Sequence, residues 1–385
     1  MQPTDVVIIG GGISGVAAAY ELAGAGASVT LVEKGDLASM ASGWTLAGVR
    51  QSGRDPAEIP LAVAAVKRWE QLAEALEADV EYRQDGNLRL ARTEDEVPVI
   101  ARLVDEGRSL GLPMEYLDGN DDVRRLAPAL APSILAASYC PTDGHANPLK
   151  VVRAFAEAAK RRGVTVSTGT EALAIAIDGG RVAGVQTPCG LLPADAVVVA
   201  AGVTSDRLLA PLGIRLPITV RHVSAIQTTP LPPLLKQVLG VANGDYAGRQ
   251  QVDGRFRMTG SGENWRWPSG ALTADAIQPP MGDVANVLDR AIAVVPALAG
   301  ARIARVWGGL IDMTPDALPV LERAPEIEGL VIAAGFSGHG FCLGPITGRI
   351  ICELATGGQS SLPLAPFRRA RFDDVAGQAP MTLHG

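Results

Sequence analysis

Three glycines and one acid give this chain its clearest chemistry. Gly10, Gly12 and Gly15 follow the apolar run Val6-Val-Ile-Ile9 at once, and Glu33 lies 18 positions after the last of them. A tight strand-to-helix turn, a backbone that can approach a pyrophosphate, and a close helix–sheet contact each require one glycine, in that order. The helix opening at Ile13 and Ser14 would turn its unpaired amides and positive dipole end toward the phosphates. The Glu33 carboxylate can accept both hydroxyls of a ribose, which disfavours a 2′-phosphorylated one. Lys34 stands beside it, and small polar residues follow, with Ser42 and Thr45 able to donate to phosphates. Gly48 then opens a segment that brings Arg50 and Arg54 near the same ligand.

These residues need a particular set of elements to position them. The β-branched run before Gly10 reads as a buried parallel strand, and Val16, Ala19, Tyr20 and Ala23 recur at helical spacing. Val29 to Glu33 is a second strand. A single amphipathic helix is expected over 59–76, a hairpin over 82–91 turning at Asp85-Gly86, and helices over 94–110 and 149–162. The run 194–202 reads as a buried strand whose final Gly202 lets backbone come close to the dinucleotide. From 215 to about 305 the pattern changes to alternating strands and Pro-rich turns, which predicts an antiparallel substrate domain. The strand 330–334 then returns to the first domain, and a helix from Gly344 closes it. The expected fold is α/β: a discontinuous Rossmann-like domain (1–80, 145–210, 305–385) and an antiparallel-sheet substrate domain (81–144, 211–304).

Composition narrows the class. A chain of 385 residues with 47 % hydrophobic residues and 44 glycines suits a globular α/β enzyme. The net charge of −7 argues against nucleic acid or an anionic membrane as partner. The sequence offers neither an apolar run long enough to span a bilayer nor a basic, apolar leader, and cytoplasmic location is expected. Cys140, Cys189, Cys342 and Cys352 have neither CxxC nor zinc spacing, so no metal is expected. With one GxGxxG fingerprint only, a nicotinamide enzyme is disfavoured.

Three blocks together resemble a known family. They are Gly10–Glu33, Val197–Gly202, and the pair Gly308-Gly-Leu-Ile-Asp-Met-Thr-Pro-Asp316 and Gly335-Phe-Ser-Gly-His-Gly-Phe341. In this order they resemble the flavin-dependent amine oxidases of the glycine oxidase, sarcosine oxidase and D-amino acid oxidase superfamily. The resemblance implies FAD as the dinucleotide and hydride transfer from an amine-bearing carbon to flavin N5. It implies that Gly308, Gly338, His339, Gly340 and Phe341 lie at the flavin, with His339 as a catalytic candidate. His145 and His222 read as structural.

Departures from the family narrow the reading further. Where glycine and D-amino acid oxidases carry a carboxylate-binding arginine, this chain has Ile311. The substrate carboxylate then falls to Arg50, Arg54 or Arg249, the last close after Tyr246. Gly309 replaces the cysteine that tethers FAD in monomeric sarcosine oxidases, so FAD should be non-covalent. Cys342 replaces a lysine that serves oxygen there, which implies slow reaction with O₂. The string Gly308–Asp316 is closest to the β subunits of hetero-oligomeric sarcosine oxidases, opine oxidases and dye-linked proline or D-hydroxyproline dehydrogenases. Those work with further subunits, and several place FMN at the interface. The expected activity is oxidation of a small secondary amino acid such as proline, hydroxyproline, sarcosine or an opine. The alternatives are a self-sufficient glycine or D-amino acid oxidase, and a flavin-binding assembly subunit without turnover.

Overall fold

The computed structural model describes residues 4–265 and 276–373. Its strands build two large sheets. The first runs, in spatial order, Val320–Arg323, Leu330–Ala334, Gly190–Val199, Thr4–Ile9, Val29–Val32 and Thr165–Ser167. From Leu330–Ala334 to Thr165–Ser167 every neighbouring pair is parallel. Strand Thr4–Ile9 shows why it is central: Val6 and Ile8 join the core on one face, Val7 and Ile9 the core on the other. Side chains alternate across a strand, so a continuous apolar run serves a sheet covered on both sides.

The second sheet is antiparallel save for one pair. Its order is Glu263–Asn264, Thr219–Pro230, Arg255–Gly260, Tyr246–Gln250, Val238–Val241, Asn87–Ala91, Ala136–Cys140 and Glu115–Asp118. The long strand Ile303–Met313 also pairs with Thr219–Pro230, and Val238–Val241 lies parallel to Asn87–Ala91. Among the described residues no helix is long and apolar enough to cross a membrane.

Three local expectations need correction. Residues 82–91 do not form a hairpin: Asn87–Ala91 pairs with Ala136–Cys140, and Gly86 N donates to Asp143 O at 2.8 Å. Long-range partners win over the local turn. The expected helix 59–76 is two, Ile59–Glu70 and Leu72–Leu76, broken at Gln71. The last helix begins at Gly340, four residues before Gly344, with Pro345 inside it. A proline near a helix start reads as the first turn, but here a full turn precedes it.

That last helix and helix Ile13–Gly24 pack with almost no separation. A Cβ on Gly344 would stand 2.5 Å from Ile13 Cγ2, and one on Gly348 would stand 2.5 Å from the Ala17 carbonyl carbon. Gly348→Ala should therefore cost about 1–3 kcal/mol through forced separation of the helices, seen as a lower melting temperature. Gly282→Ala, with nothing within 4 Å of the added carbon, should stay within about 0.5 kcal/mol of the parent. Equal melting temperatures for the two variants would contradict the packing argument.

Candidate active site

The glycine fingerprint folds as a cradle. Gly10 has φ +117°, and a Cβ there would lie 2.3 Å from Ala200 O, at the end of the neighbouring strand. At Gly15 an added Cβ would meet Gly10 O at 2.0 Å, so this glycine seats the helix against the turn. Gly12 occupies the N-cap of helix Ile13–Gly24 and brings no capping side chain. Ser42 supplies a partner instead, its Oγ accepting from Ile13 N at 3.0 Å. Glu33 is held by both oxygens: Oε2 accepts from Gly11 N at 2.7 Å and Oε1 from Gly35 N at 2.8 Å. Each oxygen retains a lone pair for a ribose hydroxyl.

At the opposite end a second strand-to-helix turn faces the first. Residues 335–339 connect strand Leu330–Ala334 to helix Gly340–Ala355, with positive φ at Gly335, Ser337 and Gly338. Asp312 holds this turn: its Oδ2 accepts from Gly335 N at 2.7 Å, and its main-chain oxygen accepts from Ser337 N at 3.0 Å. Burial pushes the Asp312 carboxyl up to about 6 against those amides. Thr314 N donates to Ser337 Oγ at 3.1 Å.

His339 is the N-cap of the last helix. Its Nδ1 lies 2.9 Å from Oε2 of Glu58, a fully buried carboxylate that also meets Arg54 NH1 at 3.3 Å. Burial, with Arg54 adding to it, pulls the imidazole down to about 4 in spite of Glu58, so His339 is neutral at pH 7. Burial alone would raise Glu58, yet its pairing with His339, together with the guanidinium charges of Arg54 and Arg50, holds it below the usual carboxylate range. The segment carrying the arginines is fastened by buried Asp143, which accepts from Gln51 N at 2.8 Å and Ser52 Oγ at 2.5 Å. Arg50 NH1 donates to Ser52 O at 2.6 Å and Gly53 O at 3.2 Å.

The second sheet supplies the remaining wall and pins the small-residue loop. Trp307 Nε1 donates to Trp44 O at 3.2 Å, Arg257 NH1 to Thr45 O at 2.5 Å, and Arg249 Nε to Leu46 O at 2.5 Å. One cavity of about 350 Å³ joins the cradle, the turn before His339 and this wall. It is lined by Gly10, Gly12, Ile13, Ser14, Glu33, Lys34, Ser42, Thr45, Gly48, Gly202, Gly338, Gly340 and Phe341. His339, Arg50, Arg54, Gly309 and Ile311 line it too.

Four expected site residues lie elsewhere. Gly15 packs beneath the cradle. Gly308 is enclosed by other contacts: its Cβ would stand 1.7 Å from Ile277 O and 2.3 Å from His222 Nε2. Tyr246 is buried in the core of the second sheet, and its hydroxyl has no partner among the described residues. Arg249 spends all three nitrogens on structure, reaching His145 Nδ1 at 3.0 Å and Ala146 O at 2.9 Å besides Leu46 O. It holds a loop and cannot clamp a substrate. Cys342 is also off the cavity wall, its thiol donating to Arg50 O at 3.3 Å. The cations near the turn are Arg50 and Arg54. Sequence reading missed Glu58, Asp312 and Arg257. Only Glu58 left a signal, the i,i+4 spacing from Arg54.

Comparison with known proteins agrees with this arrangement. The family described as FAD dependent oxidoreductase (DAO) matches residues 5–354. A glycine oxidase of Geobacillus kaustophilus is 30 % identical over 380 residues, covering 95 % of this chain and 97 % of the relative. A sarcosine oxidase subunit beta of Arthrobacter sp. is 29 % identical, covering 96 % and 91 %. The crystal structure of L-proline dehydrogenase from P. horikoshii superposes with a TM-score of 0.88, at 30 % identity over 97 % of this chain and 98 % of that one. The residues present fit FAD: Gly10 and Gly12 bring no side chain into the cradle, and the N-termini of two helices open on the cavity, where they would stabilise an anionic group.

The neutral, buried state of His339 has a measurable consequence. Its pKa is about 4 in the fold and near 6.5 unfolded. Stability present above pH 6.5 should therefore fall as pH drops towards 4, by on the order of 3 kcal/mol. Urea melts at pH 7, 5.5 and 4.5 test this, and His339→Asn should flatten the slope between 6.5 and 4.5. An unchanged slope in that variant would show that another group titrates.

Proposed function

The chain belongs to the FAD dependent oxidoreductase family (DAO), and from that premise we propose that it oxidises the C–N bond of a small secondary amino acid. Proline, hydroxyproline, sarcosine and opines are the compounds in view. FAD, when bound, supplies a two-electron acceptor for the hydride on the carbon beside nitrogen; the resulting imine is hydrolysed by water. The chain's own part is to orient that carbon and hold a carboxylate. The turn Gly335–His339 and the first amides of the last helix stabilise charge on the cofactor's pyrimidine edge.

The observation that carries the reading is the cavity itself, which joins the dinucleotide cradle to the His339 turn and has Ile311 and Gly309 in its wall. Apolar Ile311 stands where the family resemblance places a carboxylate-binding arginine in glycine and D-amino acid oxidases, which favours a different substrate. Gly309 offers no thiol, and the FAD is non-covalent in this proposal. The relatives named for sarcosine oxidase subunit beta and L-proline dehydrogenase support a secondary amine. The former also supports a catalytic subunit in a hetero-oligomer, with FMN at an interface as part of the same proposal. So is the division of the chain into an FAD unit (1–80, 145–210, 305–385) and a substrate unit (81–144, 211–304). The 30 % identity to a glycine oxidase favours a second reading, self-sufficient glycine oxidation.

Anaerobic mixing of the yellow protein with candidate amino acids separates the readings. Proline or sarcosine should bleach the flavin with a rate constant at least tenfold above that for glycine. Preferential bleaching by glycine would favour the second reading, and no bleaching by any amino acid would remove both. Acid precipitation should leave FAD in the supernatant; flavin in the pellet would disprove non-covalent attachment.

A further inference from the structure

Among the described residues, Arg257 is a buried cation of the cavity wall with a nitrogen that lacks a hydrogen-bond partner. It lies on strand Arg255–Gly260 of the second sheet, 7 % exposed, and lines the cavity. One nitrogen, NH1, reaches Thr45 O. Its Nε is buried and has no hydrogen-bond partner among the described residues. Across the strand pair its neighbour is Arg249, which satisfies Nε, NH1 and NH2 alike. The two arginines share a sheet face and a loop, and only one of them is complete.

Charge makes the same distinction. Arg54 has the Glu58 carboxylate at 3.3 Å, and Arg50 sits beside Asp143. No carboxylate among the described residues comes within ion-pair distance of Arg257; its guanidinium lies instead 5.0 Å from the Trp307 ring centroid. Arg305, exposed, lies 5.2 Å from the same ring and repels it. An aromatic face only partly offsets the burial of a cation. A buried guanidinium without a counter-ion is costly and is stabilised by an anion that arrives with a ligand.

We propose that Arg257 binds the carboxylate of the amino-acid substrate, taking from the second sheet the task that Ile311 cannot perform. This rests on the amino-acid reading above and names its recognition residue. The planar guanidinium offers two parallel N–H donors to a carboxylate, a geometry lysine cannot reproduce. Thr45 O fixes the orientation of the fork through NH1. The Trp307 ring limits its movement on the other side.

The test uses FAD-loaded protein and two probes of one shape, pyrrole-2-carboxylate and its neutral amide. Wild type should perturb the flavin spectrum with the acid at far lower concentration than with the amide. In Arg257→Gln, which removes the charge and keeps a polar side chain, the dissociation constant for the acid should rise roughly ten- to a hundredfold, with that for the amide unchanged. Arg257→Lys should recover only part of the loss. FAD content should equal wild type in both variants, and KM for the substrate should rise more than kcat falls. Loss of FAD in either variant would place Arg257 in the cofactor site and overturn the proposal. So would an unchanged acid affinity in Arg257→Gln, or a wild type that does not distinguish acid from amide. Bleaching by an amino acid together with such a result leaves the reaction intact and removes only this residue's role; absence of bleaching removes the reaction itself.

Discussion

The contact between helix Ile13–Gly24 and helix Gly340–Ala355 is the constraint on which the rest depends. Gly344 and Gly348 let the second helix lie against Ile13 and Ala17 with no side chain of its own at those two contacts. Because the helices touch near their starts, both N-termini open on the same cavity. Two sets of unpaired amides and two positive dipole ends thereby converge from segments more than 300 residues apart in sequence. The cradle at Gly10–Gly12 and the turn at Gly335–Gly338 are the loops that this contact leaves facing each other.

The buried charges around that convergence are arranged in opposition. Arg50, Arg54 and Arg89 lie together, with Glu58 and Asp143 among them. Burial drives the Arg89 guanidinium down to about 10, and Arg54 adds to the effect. Burial first, and then the positive charge already in this group, keeps His339 neutral although a carboxylate touches it. A neutral His339 can donate or accept at the cavity without a net charge. Positive potential there comes from the arginine guanidiniums.

The two sheets meet through backbone carbonyls rather than through an apolar seam alone. Trp44, Thr45 and Leu46 each give their main-chain oxygen to a side chain of the second sheet. Charge-assisted bonds to carbonyls are directional and strong when buried, so the loop is fixed at the edge of the cavity. The same loop carries Ser42 into contact with the amide of Ile13. Cofactor cradle and substrate wall are therefore connected by one short segment.

The sequence by itself determined the elements whose signals are local. The β-branched run and the glycine spacing specify strand, turn and helix, because each signal lies within a few residues of what it forms. The resemblance carried by Gly308–Asp316 and Gly335–Phe341 likewise pointed to the cofactor and the chemistry. Tertiary structure alone decided which of two paired arginines on the second sheet faces the cavity. Arg249 and Arg257 occupy paired positions on neighbouring strands, and only the placement of His145, Ala146 and the 44–46 loop makes one of them structural. It also decided that Asn87–Ala91 pairs with distant strands, and that Cys342 turns from the cavity to the carbonyl of Arg50. In each case the deciding partner lies dozens to hundreds of residues away, and no local pattern encodes a contact whose other half is set by the path of the chain.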